Sequence, residues 1–289
     1  MKRSWRFFGV LVAVVLASAL LAPILFDFLP YKFERIFNRL VMIGTLVAVV
    51  FFVRIGRSTL QDYGLLWERK RSPRILAGFF GAGFGTLFLL LCVKLLFDQA
   101  AWRFRDDSLG GYFERLSLSL LSALVIGLIE EFFFRGFVFS SFRKLFKERF
   151  VLPLLLTNGL YALIHFINFK KPYIPGDPDF FDSLHLAAAP VLSMRYFPEF
   201  WHEAVGLFLF GIVLTLALRR TRSLYSAIGL HAGCVFFVKI QSFFVDSLGK
   251  ESLWFSSSKM YDGFAGWGFL ALLGAGIMVL GRGPKERSS

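Results

Sequence analysis

The stretch GLIEEFFFRG (residues 127–136) sets two adjacent carboxylates and a guanidinium inside an otherwise mostly apolar run, residues 116–142. A charged side chain at a bilayer centre costs about 2.5–3.5 kcal/mol on insertion scales, so three charges together need a compensating reason. On a helix, Glu131 and Arg135 stand four residues apart and can pair, whereas Glu130 is rotated by about 100° from Glu131. The pattern therefore predicts a Glu131–Arg135 pair and leaves Glu130 for another task. Two interpretations stay open at this point, a structural ion pair that locks a helix bundle and a polar catalytic pocket.

The composition predicts a membrane protein. Of the 289 residues, 56% are hydrophobic, the mean hydropathy is +0.62, and 18% are charged. Soluble domains carry about 25% charged residues. We therefore expect an all-α, polytopic integral membrane helical bundle. The two cysteines both lie in apolar runs, so a disulfide scaffold is not indicated.

Eight apolar runs predict about eight transmembrane helices in one domain, residues 1–289. The runs cover residues 7–26, 40–53, 75–97, 116–142, 151–169, 200–218, 223–245 and 263–281. Segments that would be cytoplasmic carry nineteen of the thirty-three Lys and Arg residues when the N-terminus is placed inside. This bias predicts that both termini are cytoplasmic, in a bacterial inner membrane. It also accounts for the net charge of +13 without a nucleic-acid partner.

Two features of these runs have alternative interpretations. Residues 1–19, with basic residues at the start and Ala17-Ser18-Ala19 at the end, resemble a cleavable signal peptide as well as a first span. Lys94 and Lys239 lie near the outer ends of predicted spans, where long stems reach the headgroups. Only the charges at Glu130, Glu131 and Arg135 are then left deep in the apolar layer.

Two histidines also lie inside predicted spans. His165 ends the sequence YALIH (residues 161–165), and His231 lies in IGLHAG (residues 228–233). Together with Glu130 they are the parts needed to activate a water molecule, because a carboxylate in low dielectric can act as a general base. The same three side chains could bind Zn²⁺ with an open fourth position. Since no HExxH spacing is present, the metal site is the less favoured of the two interpretations.

Three motifs resemble those of the CPBP family, which comprises CAAX-processing endopeptidases and bacteriocin-processing relatives. EEFFFRG (residues 130–136) resembles the family's EExxxR motif, and YALIH (residues 161–165) resembles its second motif, an aromatic residue followed four later by His. SLYSAIGLHAG (residues 223–233) is similar to the third motif. The order and the placement on successive spans match as well. The resemblance covers about residues 60–281.

The resemblance implies a role for each of five residues. Glu130 and His165 would activate the hydrolytic water, Glu131 and Arg135 would support the site, and His231 would stabilise the oxyanion. One position departs from the pattern, because Val235 stands where the family usually has Asn. An oxyanion donor stabilises the transition state by about 2.7–4 kcal/mol, so the absence of the Asn amide is expected to lower the reaction rate. Asn158, Asn168 or a backbone amide are the candidate replacements.

These observations predict an intramembrane endopeptidase that hydrolyses a peptide bond of a membrane-associated protein or peptide without a covalent intermediate. We expect no cofactor and no bound metal, and as partners only the substrate and the lipid bilayer. The main alternative is a non-catalytic membrane protein of the same fold, such as a bacteriocin self-immunity protein or a scaffold. Nothing in the sequence selects a prenylated tail or any other substrate.

Overall fold

The computed structural model describes residues 2–55, 59–104, 108–165, 174, 176–248, 253–255 and 261–280, and almost all of these are helical. The α-helices are α1 Lys2–Phe26, α2 Phe33–Ile55, α3 Arg71–Leu96, α4 Leu109–Glu131, α5 Ser140–Leu145, α6 Val151–His165, α7 Phe180–Ser193, α8 Phe197–Thr221, α9 Leu224–Phe244 and α10 Gly263–Leu280. Two short strands, β1 (Ala100–Trp102) and β2 (Val245–Ser247), form the antiparallel pair of this part of the chain.

Helices that could cross a membrane confirm the predicted fold class. Within the described residues, six helical stretches are long and apolar enough, and two further apolar helices are shorter. The six are Gly9–Phe26, Phe33–Phe52, Arg71–Leu96, Leu109–Leu145, Val191–Thr221 and Leu224–Phe244, and the shorter two are Val151–His165 and Gly263–Val279. Each of the eight predicted runs falls on one of these stretches. The ends of two predicted runs, residues 166–169 and residue 281, lie outside the described residues.

The helix that carries the charged motif is not α-helical throughout. Where the sequence predicts one continuous helix over residues 116–142, α4 ends at Glu131 and a π-helix runs from Phe132 to Phe139 before α5 begins. A π-helix has i→i+5 hydrogen bonds and a wider turn, and such turns are frequent at functional sites. The break begins directly after the second glutamate, so it sets how Arg135 is aimed relative to α4.

The chain contacts divide into two compact units. The first comprises Met1–Thr59, Ser141–Glu148 and Leu163–Phe200. Within it, α1, α2 and α7 share a buried apolar cluster that includes Ala19, Phe33 and Leu186. Helix α7 begins at a capping box made by Asp179 and Asp182. That residues 1–289 form a single domain stays a prediction.

The second unit comprises Leu60–Ser140, Arg149–Ala162 and Trp201–Ser289, and glycines bring its central helices together. Gly83 of α3 lies against the Leu230 carbonyl of α9, and Gly229 of α9 lies against the Leu76 carbonyl of α3. On the other side of α9, Gly127 of α4 lies against the Ile228 carbonyl. Small residues allow such close backbone approach between membrane helices. Helix α9 is thus held between α3 and α4.

The two strands join the chain segments that follow α3 and α9. Strand β1 follows α3 and β2 follows α9, with Ala101 opposite Asp246. Asp246 also accepts a hydrogen bond from Arg103, with 2.6 Å between the Nη1 and Oδ2 atoms. The two chain segments that leave α3 and α9 are therefore joined by backbone and side-chain hydrogen bonds.

The side chain of Lys94 is buried, in contrast to the prediction from its position in the sequence. It was expected to extend towards the headgroups, but its side chain is buried in the protein near the end of α3. Asp262, which is also buried, lies within electrostatic range of the ammonium group. A buried cation is tolerated where an anion compensates it. The expectation was wrong because composition alone did not reveal the compensating carboxylate more than 160 residues later in the chain.

The glycine contacts predict a contrast between two neighbouring positions of α3. A Cβ at Gly83 would meet the Leu230 carbonyl and the Cys234 Sγ atom, whereas a Cβ at Gly81 would meet nothing within 4 Å. We expect Gly83→Ala to destabilise the protein by about 1–3 kcal/mol through overpacking. Gly81→Ala should leave stability unchanged or raise it by up to about 1 kcal/mol, because alanine favours a helix.

Unfolding of the purified protein in detergent would measure both effects. Equal stability of the two variants would contradict the close α3–α9 packing.

Candidate active site

The site is built around a buried ion pair. Glu131, the last residue of α4, and Arg135, within the π-helix, are both fully buried, and the Arg135 Nη1 atom lies 3.0 Å from the Glu131 Oε1 atom. The pairing predicted from the four-residue spacing is confirmed. Because neither side chain reaches the surface, each charge depends on the other for compensation.

His231 joins this pair from α9. Its Nδ1 atom lies 2.8 Å from the same Oε1 atom of Glu131, so the ring donates an N–H to a carboxylate oxygen that also accepts from Arg135. The other ring nitrogen, Nε2, lies 3.9 Å from the Glu130 Oε2 atom. A separation of this size is too long for a direct hydrogen bond but allows an electrostatic interaction between the two groups. Glu131 thus fixes the ring with Nε2 directed at Glu130.

The two adjacent glutamates have different surroundings. The Glu131 side chain is fully buried, while 30% of the Glu130 side chain is exposed. Glu131 compensates charges inside the protein, and Glu130 is the more exposed of the two side chains. The rotation of about 100° between successive helical residues produces this division of tasks.

A second set of contacts holds the guanidinium. The Arg135 Nη2 atom donates to the Asn158 Oδ1 atom at 3.1 Å and to the Gly211 carbonyl at 3.2 Å. Asn158 in turn donates to the Leu154 carbonyl at 2.8 Å and to the Thr215 Oγ1 atom at 3.3 Å. An amide nitrogen has two N–H groups, and both are engaged. Asn158 therefore positions Arg135, and the expectation that its amide could serve as an oxyanion donor finds no support in this geometry.

Aromatic rings pack against Arg135 and His231. The Tyr161 ring lies under the Arg135 guanidinium, with 4.4 Å between the Cζ atom and the ring centroid. The Phe210 and Tyr161 rings both meet His231 edge to face, at centroid separations of 5.4 and 6.4 Å. Edge-to-face contacts and a cation over a ring face are favourable arrangements for these groups. The rings also exclude water from the charges, which strengthens the electrostatic interactions between them.

Residues 113–237 match the family model described as type II CAAX prenyl endopeptidase Rce1-like. The match confirms the resemblance to the CPBP family. It covers less than half of the chain and lies within the 60–281 range that the motifs suggested. Comparison with curated proteins gives no match, and comparison with solved structures gives none either.

The CPBP family is one of proteases, and the apolar helices make this chain an integral membrane protein. The matched segment runs from the start of α4 to the middle of α9. It therefore contains both glutamates, Arg135 and both intramembrane histidines. The roles that the CPBP motifs imply for these residues stay predictions, as do the orientation of the termini and the kind of membrane.

The structure brings together four of the five predicted site residues, namely Glu130, Glu131, Arg135 and His231. The fifth, His165, is the exposed last residue of α6, one helical turn beyond Tyr161. It belongs to the first compact unit, whereas the other four belong to the second. Its part in water activation stays a prediction from the CPBP motif. Of the other suggested oxyanion donors, Asn168 lies outside the described residues.

No metal-binding cluster appears in the part of the chain that the structure describes. Within those ranges no group of three or more His, Cys, Asp or Glu side chains has a geometry that could hold an ion. One histidine nitrogen is also committed, since His231 Nδ1 bonds to Glu131.

Sequence reasoning missed the residues that hold the guanidinium and the rings. Asn158 could have been found, because an amide inside an apolar run is unusual and expected to bond to a neighbouring helix. Gly211 gave no signal, since it acts through its backbone carbonyl. The contact between the Tyr161 ring and the guanidinium depends on the π-helical turn, which the motif itself does not reveal.

The ion pair predicts a specific stability pattern. Arg135→Ala should destabilise the protein by about 3–5 kcal/mol, because it leaves Glu131 as an uncompensated buried charge. The double variant Glu131→Gln, Arg135→Gln should recover part of this loss, since neither side chain then carries a charge. Arg74→Ala, at an exposed position of α3, is the control and should cost less than about 0.5 kcal/mol.

Membrane abundance and unfolding in detergent would report the order of these variants. An Arg135→Ala protein as stable as Arg74→Ala would contradict a compensating role for the guanidinium.

Proposed function

We propose that this protein is an intramembrane endopeptidase in which Glu130 activates a water molecule for attack on a peptide bond. The observation that carries the proposal is the 3.9 Å separation between His231 Nε2 and Glu130 Oε2, with the ring fixed through its other nitrogen. A water molecule between a carboxylate and an imidazole can lose a proton to one while the other stabilises charge. The family match supports the protease class.

The charges of the cluster suit this chemistry. Glu130 and Glu131 supply two negative charges, and Arg135 supplies one positive charge. An imidazolium at His231 makes the cluster neutral and lets both ring nitrogens donate, one to Glu131 and one into the site. A donor held in advance at the place where negative charge develops is the usual requirement of an oxyanion site.

In the proposed hydrolysis, Glu130 acts first as a general base and then as a general acid. Glu130 takes a proton from water as the water oxygen bonds to the carbonyl carbon of the substrate. The carbonyl oxygen becomes an oxyanion and accepts a hydrogen bond from His231 Nε2. When the C–N bond breaks, the proton on Glu130 passes to the leaving nitrogen, which gives a carboxylic acid and an amine. His165 shares the activation of water in this scheme, on the basis of the motif.

The substrate class is a peptide or protein held at the membrane. Four charged or titratable groups of the site, Glu130, Glu131, Arg135 and His231, lie within helical stretches apolar enough to span a bilayer. A substrate must therefore present its scissile bond at that depth. The name of the matched family points to prenylated C-terminal tails. A farnesylated CAAX peptide with a fluorophore and a quencher on either side of the cleaved bond is therefore the first probe.

Substitution of Glu130 distinguishes the peptidase proposal from a non-catalytic scaffold. Glu130→Gln should reduce cleavage of the farnesylated peptide by a factor of about 10²–10⁴, because the amide cannot accept the proton. Its abundance in the membrane should stay near that of the wild type. Glu114→Gln is the matched control, since Glu114 is exposed on the same helix. It should keep full activity.

The cellular function of the Glu130→Gln variant provides a test that could contradict the peptidase proposal. Wild-type cellular function in the Glu130→Gln variant would contradict a peptidase and favour the non-catalytic immunity or scaffold alternative.

A metal-dependent mechanism is the rival within the enzyme class. The positive charge of Arg135 beside the Glu131 carboxylate disfavours a dication there, and His231 Nδ1 already bonds to Glu131. We therefore expect the purified protein to retain cleavage activity after treatment with a strong chelator. Elemental analysis should find well below one equivalent of zinc. Chelator-sensitive activity that returns when zinc is added back would overturn the metal-free mechanism.

A further inference from the structure

Four buried groups beside the Arg135 guanidinium form a closed cycle of hydrogen bonds. The Arg135 Nη2 atom donates to the Asn158 Oδ1 atom at 3.1 Å and to the Gly211 carbonyl at 3.2 Å. Asn158 donates to the Thr215 Oγ1 atom at 3.3 Å, and Thr215 donates to the Gly211 carbonyl at 3.0 Å. All four residues are buried and belong to the second compact unit. The hydroxyl of Thr215 therefore closes the cycle.

The chemistry of the groups sets the direction of each bond in the cycle. A carbonyl only accepts, so the Thr215 hydroxyl gives its single hydrogen to Gly211. Its oxygen then accepts an N–H of Asn158, which leaves the Asn158 Oδ1 atom facing Arg135. The Leu154 carbonyl, which accepts the second N–H, favours the same amide orientation. An exchange of the amide oxygen and nitrogen would place N–H groups against the N–H groups of the guanidinium.

The cycle restricts the guanidinium to one orientation. The Nη2 atom of Arg135 has two N–H groups, and the cycle offers one acceptor for each, Asn158 on α6 and Gly211 on α8. Because the guanidinium is planar, Nη1 is then directed at the Glu131 Oε1 atom, to which the His231 Nδ1 atom also bonds. A Cβ at Gly211 would lie 2.5 Å from the Asn158 Oδ1 atom, so glycine permits this close approach.

We propose that Thr215 is a positioning residue, whose hydroxyl fixes the Arg135 guanidinium and, through it, the Glu131 carboxylate that holds His231. The effect on catalysis rests on the proposed function, which this inference deepens. A hydroxyl suits the position because it accepts from one neighbour and donates to another. It also adds no charge to the buried cluster, where a further unpaired charge would be costly.

Two substitutions of Thr215 separate the hydroxyl from the shape of the side chain. Thr215→Val keeps the β-branched shape and removes the hydroxyl, whereas Thr215→Ser keeps the hydroxyl. Thr86→Val is the matched control, because the Thr86 hydroxyl also donates to the carbonyl four residues earlier in its helix, that of Ala82, at 2.8 Å. Both valine variants lose this kind of bond, and Thr215→Val alone opens the cycle.

Nitrogen NMR of the full-length protein in lipid nanodiscs, with isotope-labelled histidine, tests the proposal without any substrate. The signals of His231 are assigned as those missing from His231→Gln. We expect Thr215→Val to change the chemical shift of His231 Nδ1, because the bonds that orient its partner Glu131 are weakened. Thr215→Ser and Thr86→Val should leave this shift in place.

A second variant guards against a valine that the packing does not accommodate. Thr215→Ala also lacks the hydroxyl and should change the His231 Nδ1 shift as Thr215→Val does. A His231 Nδ1 shift that coincides in the wild type and in a folded variant without the hydroxyl would overturn the proposal.

Kinetics with the farnesylated peptide separate positioning from simple stabilisation. Per folded molecule, Thr215→Val should lower kcat by about tenfold and change KM by less than about twofold, since misplaced catalytic groups slow the chemical step more than binding. Thr215→Ser should recover most of the lost kcat, and Thr86→Val should leave both constants unchanged. A Thr215→Val protein with reduced thermal stability and wild-type kcat would assign the hydroxyl to stability alone and contradict a positioning role.

The two readouts also keep this proposal distinct from the proposed function. If the wild-type protein does not cleave peptides, the endopeptidase proposal fails, and the NMR comparison still decides whether the Thr215 hydroxyl sets the position of His231.

Discussion

The Oε1 atom of Glu131 accepts hydrogen bonds from Arg135 and from His231, and the rest of the site depends on this one atom. A carboxylate in an apolar bundle is unfavourable unless its charge is compensated, so Glu131 requires Arg135. The second terminal nitrogen of Arg135, Nη2, donates to acceptors on α6 and α8, at Asn158 and Gly211. Three helices and the π-helix are therefore joined by the need to satisfy two buried charges. The orientation of His231 is a consequence of the same requirement.

The division between the two glutamates explains how one short motif can serve both stability and chemistry. The buried Glu131 bonds to Arg135 and to His231. The Glu130 side chain is 30% exposed, and its Oε2 atom lies 3.9 Å from the His231 nitrogen that does not bond to Glu131. Adjacent identical residues acquire opposite tasks because successive helical positions point in different directions.

Much of this arrangement was predictable from the sequence, and the limits have physical causes. Hydropathy located the helices because bilayer thickness fixes the length of an apolar run. The spacing of Glu131 and Arg135 predicted their pair. By contrast, Lys94 was misjudged because its compensating Asp262 is distant in sequence, and the π-helix was missed because no simple pattern marks an i→i+5 turn. The position of His165 relative to Glu130 depends on how distant segments assemble, which motif spacing does not specify.

The packing of α9 determines when the position of His231 is fixed. Glycines bring residues 229–233 of α9 into close contact with α3, and the β1–β2 pair joins the segments that follow the two helices. Backbone contacts on either side of His231 hold this part of α9 against α3. In the proposed mechanism, an imidazole positioned during folding loses its conformational entropy once, when the chain folds, and not in each turnover.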